Sequence, residues 1–221
     1  MPQQTQKGIP NWGNEKQANT YTTSNQEFPS VYMFPDGSFV VAWQSYGQDG
    51  DVDGIYAKLY DPSGNNKTGE IRVNGYTTSY QRDPCVHGFS DGSFVVAWYG
   101  YGQGGSSYDI YFKLFDSAGN NKTDDILANG YTTDKQESVC VSVFSDDSFV
   151  LVWHSLGQDG DSYGVYFKLF DSTGTTRQMT FLSTATQQTT KNIPRSASSQ
   201  TVPSLWPGRA ALRTATITEF S

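Results

Sequence analysis

The chain has 221 residues, 36% of them apolar and 14% aromatic, which is enough for one domain with a core of large rings. Its net charge is −7 and no basic patch lies among its repeats, which argues against nucleic acid as a partner. No apolar run approaches the roughly 18 residues that a membrane-spanning helix needs, and residues 1–15 lack the apolar centre of a signal peptide.

The chain begins near the end of a repeat. Residues 1–14 are polar and show no usable periodicity, but Asn19–Thr23 reads NTYTT and has NGYTT counterparts at Asn74 and Asn129, each 55 residues further on. We therefore predict that residues 1–28 comprise a polar N-terminus and the last strand of a partial repeat.

The segment DGSFVVAW at Asp36–Trp43 sets the repeat. It returns as DGSFVVAW at Asp91–Trp98 and as DDSFVLVW at Asp146–Trp153, again 55 residues apart. The Asp-Gly pair is a turn signal, and the β-branched and aromatic residues after it favour a strand. Both faces of this strand are apolar, which is typical of a strand covered on both sides.

Each repeat contains four short apolar segments separated by turn residues, which predicts four strands per repeat. The second strand carries the tryptophan; the others are predicted at 30–34, 85–89 and 139–144 (first), 55–60, 110–115 and 165–170 (third), and 71–74 and 126–129 (fourth). Four-stranded units with a period of roughly 40 to 55 residues are typical of propeller blades, which bury their faces by stacking.

The repeat length decides between this fold and other repeated β folds. The coils of a β-helix are shorter, and the units of a string of β-sandwiches are longer. We therefore predict an all-β fold, a β-propeller-like array of four-stranded blades. Three intact repeats at residues 29–174 would form an incomplete propeller.

The repeat stops after Gly174, and residues 175–221 are rich in Thr, Ser, Arg and Ala. A disordered linker has such a composition. A frameshift also explains it, because removing one adenine from codons for the expected GNNKTDDIL yields the GTTRQMTFL that is present. We predict that this stretch is an out-of-frame copy of a further repeat and forms a disordered or irregular tail, not a domain.

The loop between the second and third strands of the first repeat reads GQDGDVDG, with the D-x-D-x-D-G spacing of calcium loops. The third repeat keeps two of these aspartates and the second keeps none. The candidate calcium ligands are Asp49, Asp51, Asp53, Asp159 and Asp161. The loop lacks an acidic residue to close the site, so a solvated turn is the alternative, and no other cofactor is predicted.

Polar and aromatic residues of the same loops are candidates for a ligand-binding rim. They are Tyr46, Gln48, Tyr101, Gln103 and Gln158. The tryptophans, one in each apolar strand, indicate packing between blades rather than a sugar-binding platform. Two N-x-T sequons, at Asn66 and Asn121, lie at predicted hairpin tips, where a glycan would indicate a secretory route.

The two cysteines, Cys85 and Cys140, occupy the same position in successive repeats, and Ser30 occupies it in the first. We interpret them as small, buried strand residues, because a disulfide would need their Cα atoms within about 7 Å. Their redox state is left open. The two histidines do not occupy equivalent positions and are too few for a zinc site.

The units SDGSFVVAW, GQDGDSYGVYFKLFDSTG and NGYTT, within residues 19–174, resemble tandem repeats of large secreted or surface proteins of bacteria and protists, including adhesins and RTX-like exoproteins. The resemblance implies an extracellular or cell-surface location and a role as a binding or adhesion scaffold. It implies a protein or glycan ligand, and further blades of the same repeat type, as partners.

The sequence shows no nucleophile paired with a base, no phosphate loop and no histidine cluster, so we predict a non-enzymatic module from a truncated or frameshifted gene copy. One alternative is a propeller-fold polysaccharide hydrolase with its acids in the Asp49/Asp51 and Asp159/Asp161 loops. Another is a nonfunctional fragment. Three blades would leave open flanks, which predicts self-association.

Overall fold

The computed structural model describes residues 15–105 and 107–177. Residues 15–25 contain no strand. The strands of the described part are β1 (Gln26–Met33), β2 (Phe39–Tyr46), β3 (Asp53–Tyr60), β4 (Ile71–Arg72), β5 (Gln81–Gly88), β6 (Phe94–Tyr101), β7 (Tyr108–Phe115), β8 (Ile126–Leu127), β9 (Gln136–Val143), β10 (Phe149–Leu156) and β11 (Tyr163–Phe170). This part of the chain includes no helix that is long and apolar enough to cross a membrane.

The strands form three separate antiparallel sheets in which sequence neighbours are spatial neighbours. Blade 1 is β1-β2-β3-β4, blade 2 is β5-β6-β7-β8 and blade 3 is β9-β10-β11. The predicted all-β, propeller-like array of four-stranded blades is confirmed. The position of a fourth strand in blade 3, like most of the predicted out-of-frame tail and residues 1–14, lies outside the described residues.

The first strand of each blade begins about four residues earlier than predicted because it contains a β-bulge. The register of β1 against β2 shifts between Glu27 and Ser30, and that of β5 against β6 shifts in the same way. Phe28, Asp83 and Ser138 occupy the bulge with φ values of 53°, 53° and 56°. A bulge inserts an unpaired residue, so the apolar alternation on which the sequence prediction relied is interrupted there.

The turn between the first two strands of each blade is stabilised by a side chain that the repeat supplies every time. In blade 1, Asp36 Oδ1 accepts hydrogen bonds from the backbone N–H of Ser38 at 2.9 Å and from its hydroxyl at 2.6 Å. Gly37 follows the aspartate with φ 84°, where a side chain would be strained. Blade 3 places Asp147 there at φ 58°, a conformation that aspartate tolerates better than most residues.

Two apolar clusters lie between the blades, one at each blade–blade interface. Trp98 is fully buried among side chains of blades 1 and 2, and Trp153 is buried among those of blades 2 and 3. The indole Nε1 of Trp98 donates to Gln81 Oε1 at 3.0 Å, so its polar atom is satisfied. The prediction that the tryptophans serve packing between blades is confirmed for these two residues.

Polar contacts also join successive blades, along a seam that we define as residues 73–76 between blades 1 and 2 and residues 128–131 between blades 2 and 3. Lys113 of blade 2 donates to the carbonyl of Val73 at 2.7 Å. Its ammonium also lies 2.6 Å from Asp125 Oδ1, and both side chains are about 95% buried. Asp125 in turn accepts the backbone N–H of Gly75 at 2.8 Å. Blade 2 is therefore joined to the seam before it by charged groups as well as by apolar packing.

Candidate functional site

The three aspartates of the predicted calcium loop have separate partners. Asp53 is buried and pairs with Arg82, with 2.7 Å between Oδ2 and Nε. Asp51 accepts the backbone N–H of Ser79 at 2.7 Å, and Asp49 accepts a side-chain amide of the seam. Residues 15–105 and 107–177 contain no group of three or more His, Cys, Asp or Glu side chains placed to hold a metal. Calcium binding at this loop stays a prediction.

One carboxylate lies under the loop in blades 1 and 2, but a different residue supplies it in each. In blade 1 it is Asp49, whose Oδ2 accepts the side-chain amide of Asn74 at 3.1 Å. In blade 2 the loop has Gly104 instead, and Asp109 on β7 accepts the amide of Asn129 at 2.7 Å. A comparison of the loop sequences does not find Asp109, because this carboxylate reaches Asn129 from strand β7 and not from the loop.

Blade 3 returns to the arrangement of blade 1. Asp159 lies in the loop beside Gly164, the strand residue that leaves space for it. Asp161 is exposed, and its backbone N–H lies 3.4 Å from Asp159 Oδ1. Asp49, Asp159 and Asp109 therefore support the loop, and Asp161 has no such role among the described residues.

The predicted rim residues divide into two groups. Tyr46, Tyr101 and Gln158 are exposed at or just beyond the ends of the second strands. Gln48 donates to Glu70 Oε2 at 2.7 Å, and Gln103 donates to Asp125 Oδ2 at 3.3 Å. The first group is available to a ligand, whereas Gln48 and Gln103 are each bonded to a carboxylate of their own blade.

The two sequons lie in exposed hairpins after β3 and β7. Asn66 and Asn121 are exposed, but the threonine of each sequon has a structural contact, since Thr68 Oγ1 accepts the backbone N–H of Leu59 at 3.1 Å. Thr123 makes the same contact in blade 2. This hydrogen bond accounts for the threonine in both sequons without a glycan. Glycosylation of the asparagines stays a prediction.

A group of tyrosines with charged neighbours gathers between blades 2 and 3. The ring centroid of Tyr108 lies 5.4 Å from that of Tyr99 and 5.1 Å from that of Tyr101, in edge-to-face arrangements. Of these three residues, the sequence singled out only Tyr101. The tyrosine–carboxylate cluster, as we call it, consists of Tyr80, Arg82, Asp83, Tyr99, Tyr101, Tyr108, Lys135, Glu137 and Tyr163.

The β-bulge of β5 supplies Arg82 and Asp83 to this cluster. The guanidinium of Arg82 lies over the ring of Tyr80, 4.0 Å from its centroid, and is fixed from the other side by Asp53. Asp83 is half-buried, and burial raises the pKa of its carboxyl. Its positive φ is a conformation that is held only where the surrounding structure supports it.

Strand β9 supplies the second carboxylate, Glu137. Its Oε2 accepts the hydroxyl of Tyr163 at 3.0 Å, and its Oε1 lies 3.8 Å from the ammonium of Lys135. The same ammonium lies 5.7 Å from the ring centroid of Tyr108. Glu137 is therefore oriented by two neighbours beside the tyrosine rings.

The ring of Tyr99 lies within electrostatic reach of both carboxyl groups. Burial is the main cause that raises the pKa of its hydroxyl, and the charges of Asp83 and Glu137 raise it as well. The cluster thus combines two carboxyl groups from neighbouring first strands with one shared aromatic surface. A carboxyl that protonates easily and a second carboxylate nearby can act as an acid–base pair.

A signal for this cluster was present in the differences between the repeats. The bulge reads Glu27-Phe28 in the first repeat, Arg82-Asp83 in the second and Glu137-Ser138 in the third, whereas the turns and tryptophan strands hardly change. In a repeat protein, a site that belongs to one interface has to lie where the repeats differ. The sequence reasoning followed the recurring aspartates instead.

No family model matches the chain, and no curated protein matches it. Solved structures do resemble it. The chain is 12% identical to an endo-arabinase from Bacteroides thetaiotaomicron VPI-5482, with a TM-score of 0.45 over 71% of this chain and 57% of that one. It is 11% identical to a thermostable family-43 glycoside hydrolase, with a TM-score of 0.46 over 72% and 60% of the two chains.

A protein of unknown function from Dyadobacter fermentans DSM 18053 is also similar, at 13% identity and a TM-score of 0.50 over 69% of this chain and 53% of that one. The chain has a propeller-like fold. It spans little more than half the length of these solved chains. The tandem propeller-like repeat is thereby supported, whereas the resemblance to adhesins and RTX-like exoproteins receives no support.

The prediction that the chain is not an enzyme is wrong. It rested on the absence of a recognisable motif, yet one of these solved structures is named an endo-arabinase and another a family-43 glycoside hydrolase. The physical reason is that propeller sites are assembled from different blades, so their residues are far apart in the sequence.

Proposed function

We propose that the tyrosine–carboxylate cluster binds a polysaccharide and hydrolyses its glycosidic bonds. One arrangement carries the proposal: Asp83 and Glu137 come from the first strands of adjacent blades, and each lies beside a cation that contacts the tyrosine rings. Arg82, next to Asp83, lies 4.0 Å from the ring centroid of Tyr80, and Lys135, which pairs with Glu137, lies 5.7 Å from that of Tyr108. The likeness to solved glycoside hydrolases concerns the fold alone, so these side chains have to support the reaction. The acids differ from those expected from the sequence, since Asp49 and Asp159 support loops.

Glycoside hydrolysis needs two carboxyl groups in different states, one protonated and one ionised. Asp83 suits the acid, because burial raises its pKa and keeps a proton available for the departing oxygen. Glu137 suits the partner that activates water or attacks the sugar, because Tyr163 and Lys135 both orient its carboxylate. The rings of Tyr99, Tyr101 and Tyr108 offer apolar surface to the sugar faces.

The test is the release of reducing ends from a panel of polysaccharides that includes arabinan and xylan. We expect the full chain to release reducing ends, and Asp83→Asn and Glu137→Gln each to lower the rate at least about 100-fold, in the usual range for an acid or base. Asparagine tolerates positive φ as aspartate does, so the bulge should persist. Turnover should fall as the pH rises through the raised pKa of Asp83, because the acid acts when protonated.

Asp161→Asn is the matched control, because this aspartate is exposed and lies outside the cluster. It should leave the rate unchanged. If the chain releases no reducing ends from any of the polymers, or if all three variants behave alike, the proposal fails. Binding of a polymer without its cleavage would also reject hydrolysis.

A further inference from the structure

The outer face of blade 3 exposes apolar side chains that the repeat buries elsewhere. Val165 on β11 is 70% exposed, whereas the equivalent residues Ile55 and Ile110 are fully buried. Phe167 is 56% exposed, whereas its equivalent Phe112 is fully buried. Ile55 belongs to the cluster between blades 1 and 2, and Ile110 and Phe112 belong to the cluster between blades 2 and 3. The next blade covers these side chains in blades 1 and 2.

The opposite face, on blade 1, is the complementary half of the same contact. Val31 on β1 is 65% exposed, but its equivalents Val86 and Val141 are buried because the preceding blade covers them. Met33 is 69% exposed, whereas its equivalent Val143 packs against the cluster between blades 2 and 3. The chain itself therefore shows what fits each open face: the other face of the same repeat.

We propose that a second copy of this chain covers both faces, with the β11 face of each copy packed on the β1 face of the other. Two identical contacts then arise, related by a twofold axis along the hub. A head-to-tail contact closes into a ring when its rotation allows, and the three blades of the described residues, taken from two copies, give six, within the four to eight that propellers use. Three copies would give nine, which lies outside that range.

The cysteine positions show which atoms would meet across the new contact. Ser30 Oγ accepts the backbone N–H of Val86 at 3.1 Å, and one repeat later Cys85 Sγ accepts that of Val141 at 3.3 Å. Continuing the series, Cys140, which is exposed, would accept the N–H of Val31 in the second copy. Side chains at this position also approach each other across a blade interface.

Between blades 2 and 3 of one chain, Cys85 Sγ lies 3.7 Å from Cys140 Sγ. A thiol at position 30 of one copy should lie equally close to Cys140 of the other. The double variant Ser30→Cys/Cys85→Ser carries just these two thiols, which are two blades apart within one copy. Glutathione disulfide would oxidise the pair to a disulfide and be reduced to two glutathione thiols, so the reaction is balanced.

We expect this variant to migrate as a covalent dimer on a non-reducing gel, with no larger species, because both interfaces close in one ring. Cys85→Ser alone is the matched control and should give no comparable dimer. A failure to cross-link, or a ladder of trimers and longer species that indicates an open filament, would overturn the proposal.

The mass of the unmodified chain in light scattering tests the same proposal without the new thiol. We expect twice the mass of one chain, reduced to that of one chain in Val165→Glu/Phe167→Glu. Both side chains are already exposed in the single copy, so the circular dichroism spectrum should not change. Ser172→Glu, an exposed change on the same blade, should keep the dimer. A monomeric unmodified chain contradicts the proposal, since its open faces would then be covered in another way.

Discussion

In blade 2, Asp109 and Gly104 have the roles that Asp49 and Gly54 have in blade 1, with the two sequence positions exchanged. In both blades a carboxylate accepts the side-chain amide of the seam asparagine. That asparagine also orders the strand, since Asn129 Oδ1 accepts the buried N–H of Ile110 at 2.7 Å. A single carboxylate therefore orients the asparagine side chain, and that side chain in turn binds the backbone of the third strand near the edge of the sheet.

This exchange makes a prediction about stability. Asp109→Gly should lower the free energy of unfolding by about 1.5–3 kcal/mol, the usual worth of a buried hydrogen bond to a charged group. Adding Gly104→Asp should restore much of the loss, because the loop aspartate then reaches the amide of Asn129 as in blade 1. Urea denaturation of the single and double variants measures both effects. The idea fails if Gly104→Asp destabilises both backgrounds equally.

At the scale of strands and blades, a recurring lysine contact joins each third strand to the segment that precedes its blade. Lys58, Lys113 and Lys168 donate to the carbonyls of Ala18, Val73 and Ala128, each 40 residues earlier. Blade 2 adds the buried ion pair with Asp125. At the seam between blades 1 and 2, both members of this pair also bind the backbone of the preceding segment, and both are withdrawn from water.

Removing one member of this buried pair should be costly. Lys113→Met leaves Asp125 buried without its counter-charge, and we expect a loss of about 3–5 kcal/mol in the free energy of unfolding. Lys168→Met is the matched control, because Lys168 is only half-buried and donates to Ala128 at 2.9 Å. Its loss should be closer to about 1 kcal/mol. Equal losses in guanidinium titrations would show that burial of the pair does not matter.

For the whole molecule, the repeated turns make stability depend on acid pH. Hydrogen bonds from the following serine lower the pKa of Asp36 and Asp91, and with help from Arg177 lower that of Asp146 to about 2. A carboxyl with a lowered folded pKa stabilises the fold above its unfolded pKa of about 4, and this is lost as the pH falls further. Asp83 and Asp109, with raised pKa values, act in the opposite direction.

The lowered carboxyls recur in every blade, so we expect their effect to dominate. The melting temperature should fall between about pH 4 and pH 2, and Ser38→Ala/Ser93→Ala/Ser148→Ala should fall less steeply over the same interval. Thermal scans by circular dichroism at stepped pH values give both slopes. Parallel slopes for the two proteins would count against this origin of acid sensitivity.

The sequence predicted what depends on neighbours along the chain. The Asp36–Trp43 repeat showed its turn and its two apolar faces, because a strand and its turn residues are local. The bulge was not predictable in this way, since Phe28, Asp83 and Ser138 are chemically unlike and share one φ. The candidate site was missed for a related reason: Asp83 and Glu137 come together only when two blades stack.

The lysine contact and the cysteine contact between blades each join residues a fixed number of positions apart, 40 for the lysines and 55 for the cysteines. A gene that gains or loses one whole unit by unequal recombination therefore preserves every such pairing, whereas a single inserted codon between units disturbs all those that span it. The number of units can therefore change in an architecture of this kind without breaking these contacts, whereas the spacing within a unit cannot.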